Sequence, residues 1–476
     1  MRAGVLEEPL LEFGNGHRHV DPRTGITTFG PADAGDNSVG TVRLGIVGTQ
    51  EAIDGVRRWL DRCREEVAAK PSRAARFFVP FPGYNTDVGF FSRLEITSRL
   101  ERRLDKKALA NIASLKPTEA IKKAVELYEA ELRILDEEPN CQVVLICRPD
   151  DLPERNELVA NPDRPWLRPR SEPIGYDFRD LLKACSLTMK RPIQLIRRET
   201  WDPTFKPRQR EPRRQQDEAT RAWNLFTALY YKAGGLPWRM TREASDLDTC
   251  YVGVAFYRTT DQETLQTSVA QIFNERGDGV IVRGAAAISS SDDRQPHLTR
   301  ADAQDLLEKA LARYRSEHRN APARIMLHKT SSFTADEIEG FQAASEGERI
   351  DLLELVWLPR DDAARLFRQG EQPPLRGTLL SLGETRHVLY TKGAVPFYQM
   401  YPGMYVPHAL PFRPVVHESS PEQIASELLA LSKMNWNATQ LDGRLPITIR
   451  TAESIGSILK HLADGLEPEP RYAFYM

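Results

Sequence analysis

Asp177-Phe-Arg179-Asp-Leu-Leu-Lys183 leads into Pro192-Ile-Gln194-Leu-Ile-Arg197-Arg198, and Tyr230-Tyr-Lys232-Ala-Gly-Gly235 follows further along the chain. From Lys183 to Arg214 there are ten Lys/Arg against three Asp/Glu, a local balance of +7 (10 − 3) in a chain of net charge −2. So local an excess calls for an anionic partner or a well-solvated loop. Phe178, Leu181, Leu182, Cys185 and Met189 fall at helical spacing, which predicts a helix over 177–190 with an apolar face. Arg179 and Lys183 are i, i+4 neighbours and project together from another face. Gln194 follows after a turn and offers an amide donor. Lys232 closes a helix beside Gly234 and Gly235, where backbone can approach a ligand closely. Singly, each is an ordinary solvated charge. As a set they suit a terminal phosphate, whose roughly two charges want several cationic and N–H donors converging on it.

Outward from this stretch, the preceding residues read as one α/β domain over 42–205. Val42-Arg-Leu-Gly-Ile-Val47 is a strand that runs through Gly48-Thr49 into a helix over 50–69, with Thr49 as N-cap. Phe77-Phe-Val79 is a short apolar run before the loop Pro80–Asn85. Charged helices are expected over 98–113 and 117–135, the second opened by Pro117. Cys141-Gln-Val-Val-Leu-Ile-Cys147 reads as a buried parallel strand. Residues 153–176 read as a Pro-rich loop, 193–196 as a strand and 202–216 as a loop between domains. Before all this, residues 1–41 form an N-terminal arm. It has a strand-like Leu10–Phe13 and turn chemistry at Gly14-Asn-Gly16, Asp21-Pro-Arg-Thr-Gly25 and Phe29-Gly-Pro31.

The second domain, 206–476, opens with a helix over 217–233. A strand at Tyr251–Tyr257 and a hairpin signal at Asp278-Gly279 follow. Helices over 300–318 and 334–345 then alternate with strands at Ala323–His328 and Ile350–Trp357. A hairpin over 379–390, a last strand near Val415-Val416 and helices over 421–433 and 450–464 complete it. Antiparallel strands followed by alternating strands and helices suggest a ribonuclease-H-like sheet.

Composition narrows the class. The chain has 476 residues, 41% hydrophobic and 28% charged, enough for two or three domains with real cores. No apolar run approaches the roughly 18–20 residues of a membrane span, and MRAGVLEEPLLEF lacks the pattern of a secretory signal. Five scattered cysteines without CxxC spacing suit a reducing cytoplasm. There is no GxxxxGK[ST] phosphate loop. His387, His408 and His417 show no metal spacing. Tyr398, Tyr401 and Tyr405, with Pro402 and Pro407, would either stack on bases or pack as loop aromatics.

Arg179-x3-Lys183-x10-Gln194 with Lys232-Ala-Gly-Gly resembles the MID pocket of Argonaute proteins, which grips a guide 5'-phosphate. Tyr251-Val-Gly-Val and Ala323–Thr330 are similar to the family's PIWI strands. Leu431-Ser-Lys-Met-Asn-Trp-Asn437 is similar to its motif near the guide seed, and Arg471–Met476 to its aromatic C-terminus. With no length for separate N and PAZ domains, the resemblance is to the short MID-plus-PIWI class, whose early residues Asp21–Gly25 and Phe29–Pro31 also resemble. It implies a Rossmann-like MID domain followed by a ribonuclease-H-like PIWI domain. It further implies guide and target backbone contacts from Arg197, Arg198, Lys433, Asn435 and Asn437. A magnesium ion at the guide 5' end would be held by the Met476 carboxylate and Gln194. The expected activity is a cytoplasmic guide-RNA sensor of complementary single-stranded DNA. It would pair as a heterodimer with an APAZ-containing effector (TIR, sirtuin-like or nuclease) in defence against plasmids and phages, with higher-order assembly on target binding.

Cutting by a ribonuclease-H-type site needs clustered carboxylates to hold two metal ions. The matching positions are Ala255, Thr330 and Glu453, so one carboxylate remains, and an inactive PIWI site is expected. Asp336, Glu337 and Glu339 read as first-turn acids of a helix. Two alternatives stay open: a guided nuclease with atypical catalytic residues, and an unguided nucleic-acid-binding protein.

Overall fold

The strand Thr41–Gly48 begins the first sheet, and its Val42, Leu44, Ile46 and Val47 are wholly buried. The computed structural model describes residues 1–35, 38–152, 176–205, 216–243, 245–258, 265–273, 279–285, 287–289, 295–360, 364–401, 403, 406–441, 443–462, 466 and 469–476. Thr41–Gly48 pairs in parallel with Val143–Cys147, which pairs in parallel with Ile193–Ile196. On its other side it pairs in parallel with Arg93–Glu95 and, beyond, with Glu101–Arg103. Every residue of Val143–Cys147 is buried, as an unbroken apolar run in a parallel sheet covered on both faces requires. The helices Pro117–Asp136 and Phe178–Ser186 bring Ile121, Tyr128, Phe178 and Leu182 to one face. Gln50–Arg62 and Glu218–Lys232 bring Ile53, Val56, Trp223 and Phe226 to the other.

Among the described residues the second sheet has nine strands. Thr249–Arg258, Arg324–Lys329 and Leu352–Trp357 run parallel at its centre. Leu265–Phe273 and Gly279–Val282 extend it antiparallel on one side. Leu410–Val416, His387–Leu389 and Thr378–Ser381 extend it on the other. Helices Arg300–His318 and Ala335–Gly347 pack together on one face. Ile447–Leu459 packs on the other so closely that a Cβ at Gly253 would lie 2.3 Å from the Thr448 carbonyl oxygen. Among the described residues, no helix is long and apolar enough to cross a membrane.

Several local expectations are corrected. Asp21-Pro-Arg-Thr-Gly25 is the start of a helix, Pro22–Phe29, rather than a turn. Asp21 is its N-cap, accepting from Thr24 N at 2.8 Å, and Pro22 stands where no N–H is needed. Residues 98–103 are a 3₁₀ turn and the strand Glu101–Arg103, so the helix that was expected from 98 begins at Lys106. The helices expected over 50–69 and 177–190 end at Arg62 and Ser186, and the last helix covers Ile447–Leu459. Residues 198–201, inside the supposed strand-to-loop passage, form a short helix. Asp278 and most of the loops at 153–176 and 202–216 lie outside the described residues, as do Pro402 and Tyr405.

The arm is sewn into the rest. Arg2–Val5 is the edge strand of the nine-stranded sheet, paired with Thr378–Ser381. Leu11–Glu12 pairs with Arg18–His19 and with Arg239–Met240. Asp21 and Arg23 are wholly buried. The Arg23 guanidinium donates to Asp21 at 2.8 Å and to the Phe77 carbonyl at 2.7 Å. Tyr398 donates to the same Asp21 carboxylate and is 2% exposed, so it packs rather than stacks on a ligand.

Candidate nucleic-acid interface

Asp177 caps the helix Phe178–Ser186 by accepting from the backbone N–H groups of Arg179 and Asp180, which fixes the direction in which Arg179 and Lys183 leave the helix. Lys183 donates to the Phe474 carbonyl at 3.1 Å and to the main-chain oxygen of Met476. Arg179 pairs with Asp180 at 2.8 Å and reaches the Tyr475 carbonyl at 3.4 Å. From the other end of the site, Lys232 donates to Ile193 O at 2.9 Å and to Ala473 O and Met476 O, each at 3.1 Å. Gln194, on the strand between them, donates to Leu195 O at 3.2 Å. Its Oε1 is buried without a partner among the described residues. Residues far apart in sequence thus meet at the turn Tyr472–Met476.

Lys183 is 1% and Lys232 5% exposed, so both ammonium groups have left water. Burial first, then Lys232 and Arg179, push Lys183 far below the ordinary lysine range. Burial and then Arg179 bring Lys232 down to about 7. Cations held at such cost are poised for a multiply charged anion.

The glycines after Lys232 have a different reason from the one expected. Gly234 has φ +99° and ends the helix, while a Cβ at Gly235 would lie 2.3 Å from the Tyr230 ring. Both positions serve the helix terminus.

A cavity of about 700 Å³ opens beside this cluster. Among the described residues fifteen line it, of which five are cationic (Arg148, Arg179, Lys183, Arg197, Arg221) and one, Asp177, is acidic. Gln194, Met476 and Asn437 also reach it, whereas Lys232 stands behind Met476. Other expected contacts face elsewhere. Arg198 pairs with Asp202 at 2.9 Å, Glu51 at 3.0 Å and Asp150 at 3.2 Å, beside a smaller cavity of about 140 Å³. Lys433 is 3% exposed and points into the protein, pairing with Glu8 at 3.1 Å and donating to Pro9 O. Asn435 is 7% exposed, and its Oδ1 accepts from Asn437 N at 3.2 Å. Trp436, next to them, is fully buried and stacks on Tyr231 with centroids 4.2 Å apart. Arg148 and Arg221 were missed by sequence reading. One follows a strand and the other sits on a helix, and neither position carries a signal until the chain folds.

The positions matching a nuclease centre lie on the second sheet. The parallel register Val254↔Lys329 makes Ala255 and Thr330 the next residues along adjacent strands. Neither side chain bears a carboxylate. Glu453 lies 3.8 Å from Arg360. Glu337 is wholly buried, paired with Lys329 at 2.6 Å and closing a capping box with Thr334. It also accepts from Leu298 N at 2.9 Å, so it serves the helix start and its surroundings. Glu339 pairs with Arg300 at 2.9 Å. Among the described residues, no group of three or more His, Cys, Asp or Glu could hold a metal ion.

No protein-family model matches this chain, and no curated protein matches it by sequence. Solved structures do match in fold. Clostridium butyricum Argonaute, bound to a guide DNA (5' deoxycytidine) and a 19-mer target DNA, superposes with TM-score 0.63 at 16% identity, over 98% of this chain and 54% of that one. A. aeolicus Argonaute gives TM-score 0.57 at 16% identity, over 98% and 54%. Drosophila Piwi gives 0.58 at 15% identity, over 99% and 56%. The present chain thus spans about half the length of the structures it matches. The likeness is one of fold: a Rossmann-like α/β unit followed by a ribonuclease-H-like one, as expected.

Proposed function

We propose that this chain holds the 5'-phosphorylated end of a guide RNA and uses the guide to recognise complementary single-stranded DNA. The observation that carries the reading is the convergence of Arg179, Lys183 and Gln194 on a cavity with a cationic wall, with Lys232 behind it on the same Met476 oxygen as Lys183. Several cations converging on one point suit an anion that brings several oxygens. The cavity also leaves room for the attached nucleotide. Base pairing then supplies the sequence specificity, with the protein holding backbone and shape.

A magnesium ion at this point fits the donors present. Gln194 Oε1 is a buried oxygen without a partner among the described residues, Met476 lines the same cavity, and magnesium characteristically completes its shell with water and phosphate. When bound, the ion would supply positive charge to the phosphate. The lysines hold the same oxygen and orient the turn that carries it.

In this reading the second sheet does not cut. Ala255 and Thr330 offer no carboxylate where a two-metal site needs them, so any output falls to another subunit. The resemblance supplies the form of that partner: a cytoplasmic, APAZ-containing effector in a heterodimer, with a TIR, sirtuin-like or nuclease activity switched on by target binding, as a defence against plasmids and phages.

The decisive experiment compares two RNAs of one sequence, one with a 5'-phosphate and one with a 5'-hydroxyl. The phosphate is expected to add roughly 1.5–3 kcal/mol, the contribution of a charge-assisted hydrogen bond or more. Equal affinities would sink the assignment.

A further inference from the structure

Lys232 is the last residue of its helix, and helix ends fray unless something holds them. Its side chain is a flexible four-carbon stem, so the ammonium is placed no better than the backbone beneath it. Yet that ammonium is buried and donates to Ile193 O, Ala473 O and Met476 O.

Part of what fixes the helix end is the helix itself. Ala233 N donates to Leu229 O, Gly234 N to Tyr231 O and Gly235 N to Tyr230 O, each at 3.0 Å. These bonds satisfy the last carbonyls. The next donor, Leu236 N, turns instead to the N-terminal arm, where Asp33 Oδ2 accepts it at 2.9 Å. Asp33 Oδ1 accepts from the Tyr230 hydroxyl at 2.8 Å. One carboxylate, 197 positions from Tyr230 in the chain, thus bridges a residue just before Lys232 and one just after it. The turn with Gly234 at φ +99° lies between those two points. Ala32 N donates to Pro237 O at 3.1 Å, so the arm meets the turn at successive residues.

Both partners of Asp33 are neutral donors. Burial raises its carboxyl above the ordinary range, and the Leu236 N–H and Tyr230 hydroxyl work against that rise. The carboxylate is matched to its place by geometry, two acceptor oxygens to one N–H and one O–H. It is not among the described residues that line the cavity. We propose that Asp33 is a positioning residue for the 5'-phosphate pocket, clamping Tyr230 and Leu236 so that Lys232 reaches the Met476 oxygen, and that the N-terminal arm thereby completes the pocket. This rests on the 5'-phosphate reading above.

The test compares the full chain with its variants Asp33→Ala, Asp33→Asn and Tyr230→Phe. Each is titrated with one RNA bearing a 5'-phosphate and the same RNA bearing a 5'-hydroxyl, well below its own melting temperature. The ratio of the two affinities reads the pocket apart from the rest of the strand. In wild type it should be about tenfold or more, as for a charge-assisted hydrogen bond. Asp33→Ala should cut it roughly threefold or more, a part of what losing the lysine contact costs. Asp33→Asn should keep it within about twofold of wild type, the scatter of uncoupled changes. Its amide oxygen accepts from Leu236 N while its N–H donates to the Tyr230 oxygen. Tyr230→Phe keeps the ring and should give an intermediate ratio.

A merely structural Asp33 would lower the melting temperature of Asp33→Ala and leave the ratio of the folded protein unchanged, which would overturn the proposal. An Asp33→Asn ratio as low as that of Asp33→Ala would make charge rather than geometry the cause and overturn it as well. If Asp33→Ala fails to fold, Tyr230→Phe carries the test, and an unchanged ratio there is the contrary result. A wild-type ratio near one removes the 5'-phosphate reading and this inference with it. A high wild-type ratio that survives in Asp33→Ala removes this inference alone.

Discussion

Two lysine ammonium groups meeting at one main-chain oxygen are the unusual feature at the residue scale. Lys232, brought down to about 7, is charged below that value and loses its proton as pH rises through it. A terminal phosphate becomes fully dianionic above its second ionisation, near pH ~6. Affinity for a 5'-phosphorylated strand should therefore be greatest at about pH 6–7, the interval between these two ionisations, and should decline in alkaline buffer. Lys232→Ala should weaken binding by roughly 1.5–3 kcal/mol and abolish the alkaline decline. Calorimetric titration across this range checks both, and a flat wild-type profile would show Lys232 to be charged throughout. The members of this cluster were legible because four polar residues kept a recognisable order and spacing. Lys433 and Arg198 were misplaced for the opposite reason. Charge shows in a sequence, but the direction of a side chain does not. Lys433 turns inward to Glu8, and Arg198 is spent on three carboxylates.

At the scale of elements, the segment between the edge strand Arg2–Val5 and the hairpin at Leu11 acts as a strap. Its Glu8 lies between two wholly buried cations, pairing with Arg376 at 2.9 Å and Lys433 at 3.1 Å. Burial works to raise the Glu8 pKa, but Arg376 and Lys433 together outweigh it and hold the carboxyl below its usual range. Glu8→Ala leaves two buried charges without their partner and should destabilise the protein by roughly 3–5 kcal/mol in urea denaturation. A loss near zero would mean that the strap is not a folded part of the second domain. Continuous apolar runs such as Val143–Cys147 made the buried strands readable. Asp21-Pro22 was misread because Asp-Pro opens a turn and a helix with the same chemistry, and only the packing of Ile26 and Arg23 decides between them. Glu101–Arg103 was misread because three charged residues on an edge have no apolar period. Their strand exists through its pairing with Ile46–Gly48.

For the whole molecule, two successive sheets with their covering helices were foreseeable from the order of strands and helices. The lining of the cavity by Arg148 and Arg221 was not, since it depends on how one sheet end meets one helix. If the second sheet serves recognition alone, purified protein loaded with a guide should leave a matched target intact with magnesium or manganese. Cleavage products that vanish in Glu453→Ala would reverse that reading. The nine-stranded sheet also joins distant parts of the chain, with Arg2–Val5 lying against Thr378–Ser381. At ~5–20 residues per second of synthesis, the first strand waits roughly 20–70 s for its partner to leave the ribosome. Until then its backbone donors and acceptors are an open edge, and Glu8 has neither Arg376 nor Lys433 to pair with. The nascent chain therefore cannot close this edge of its second sheet until Thr378–Ser381 has been made, which couples the first residues synthesised to some of the last.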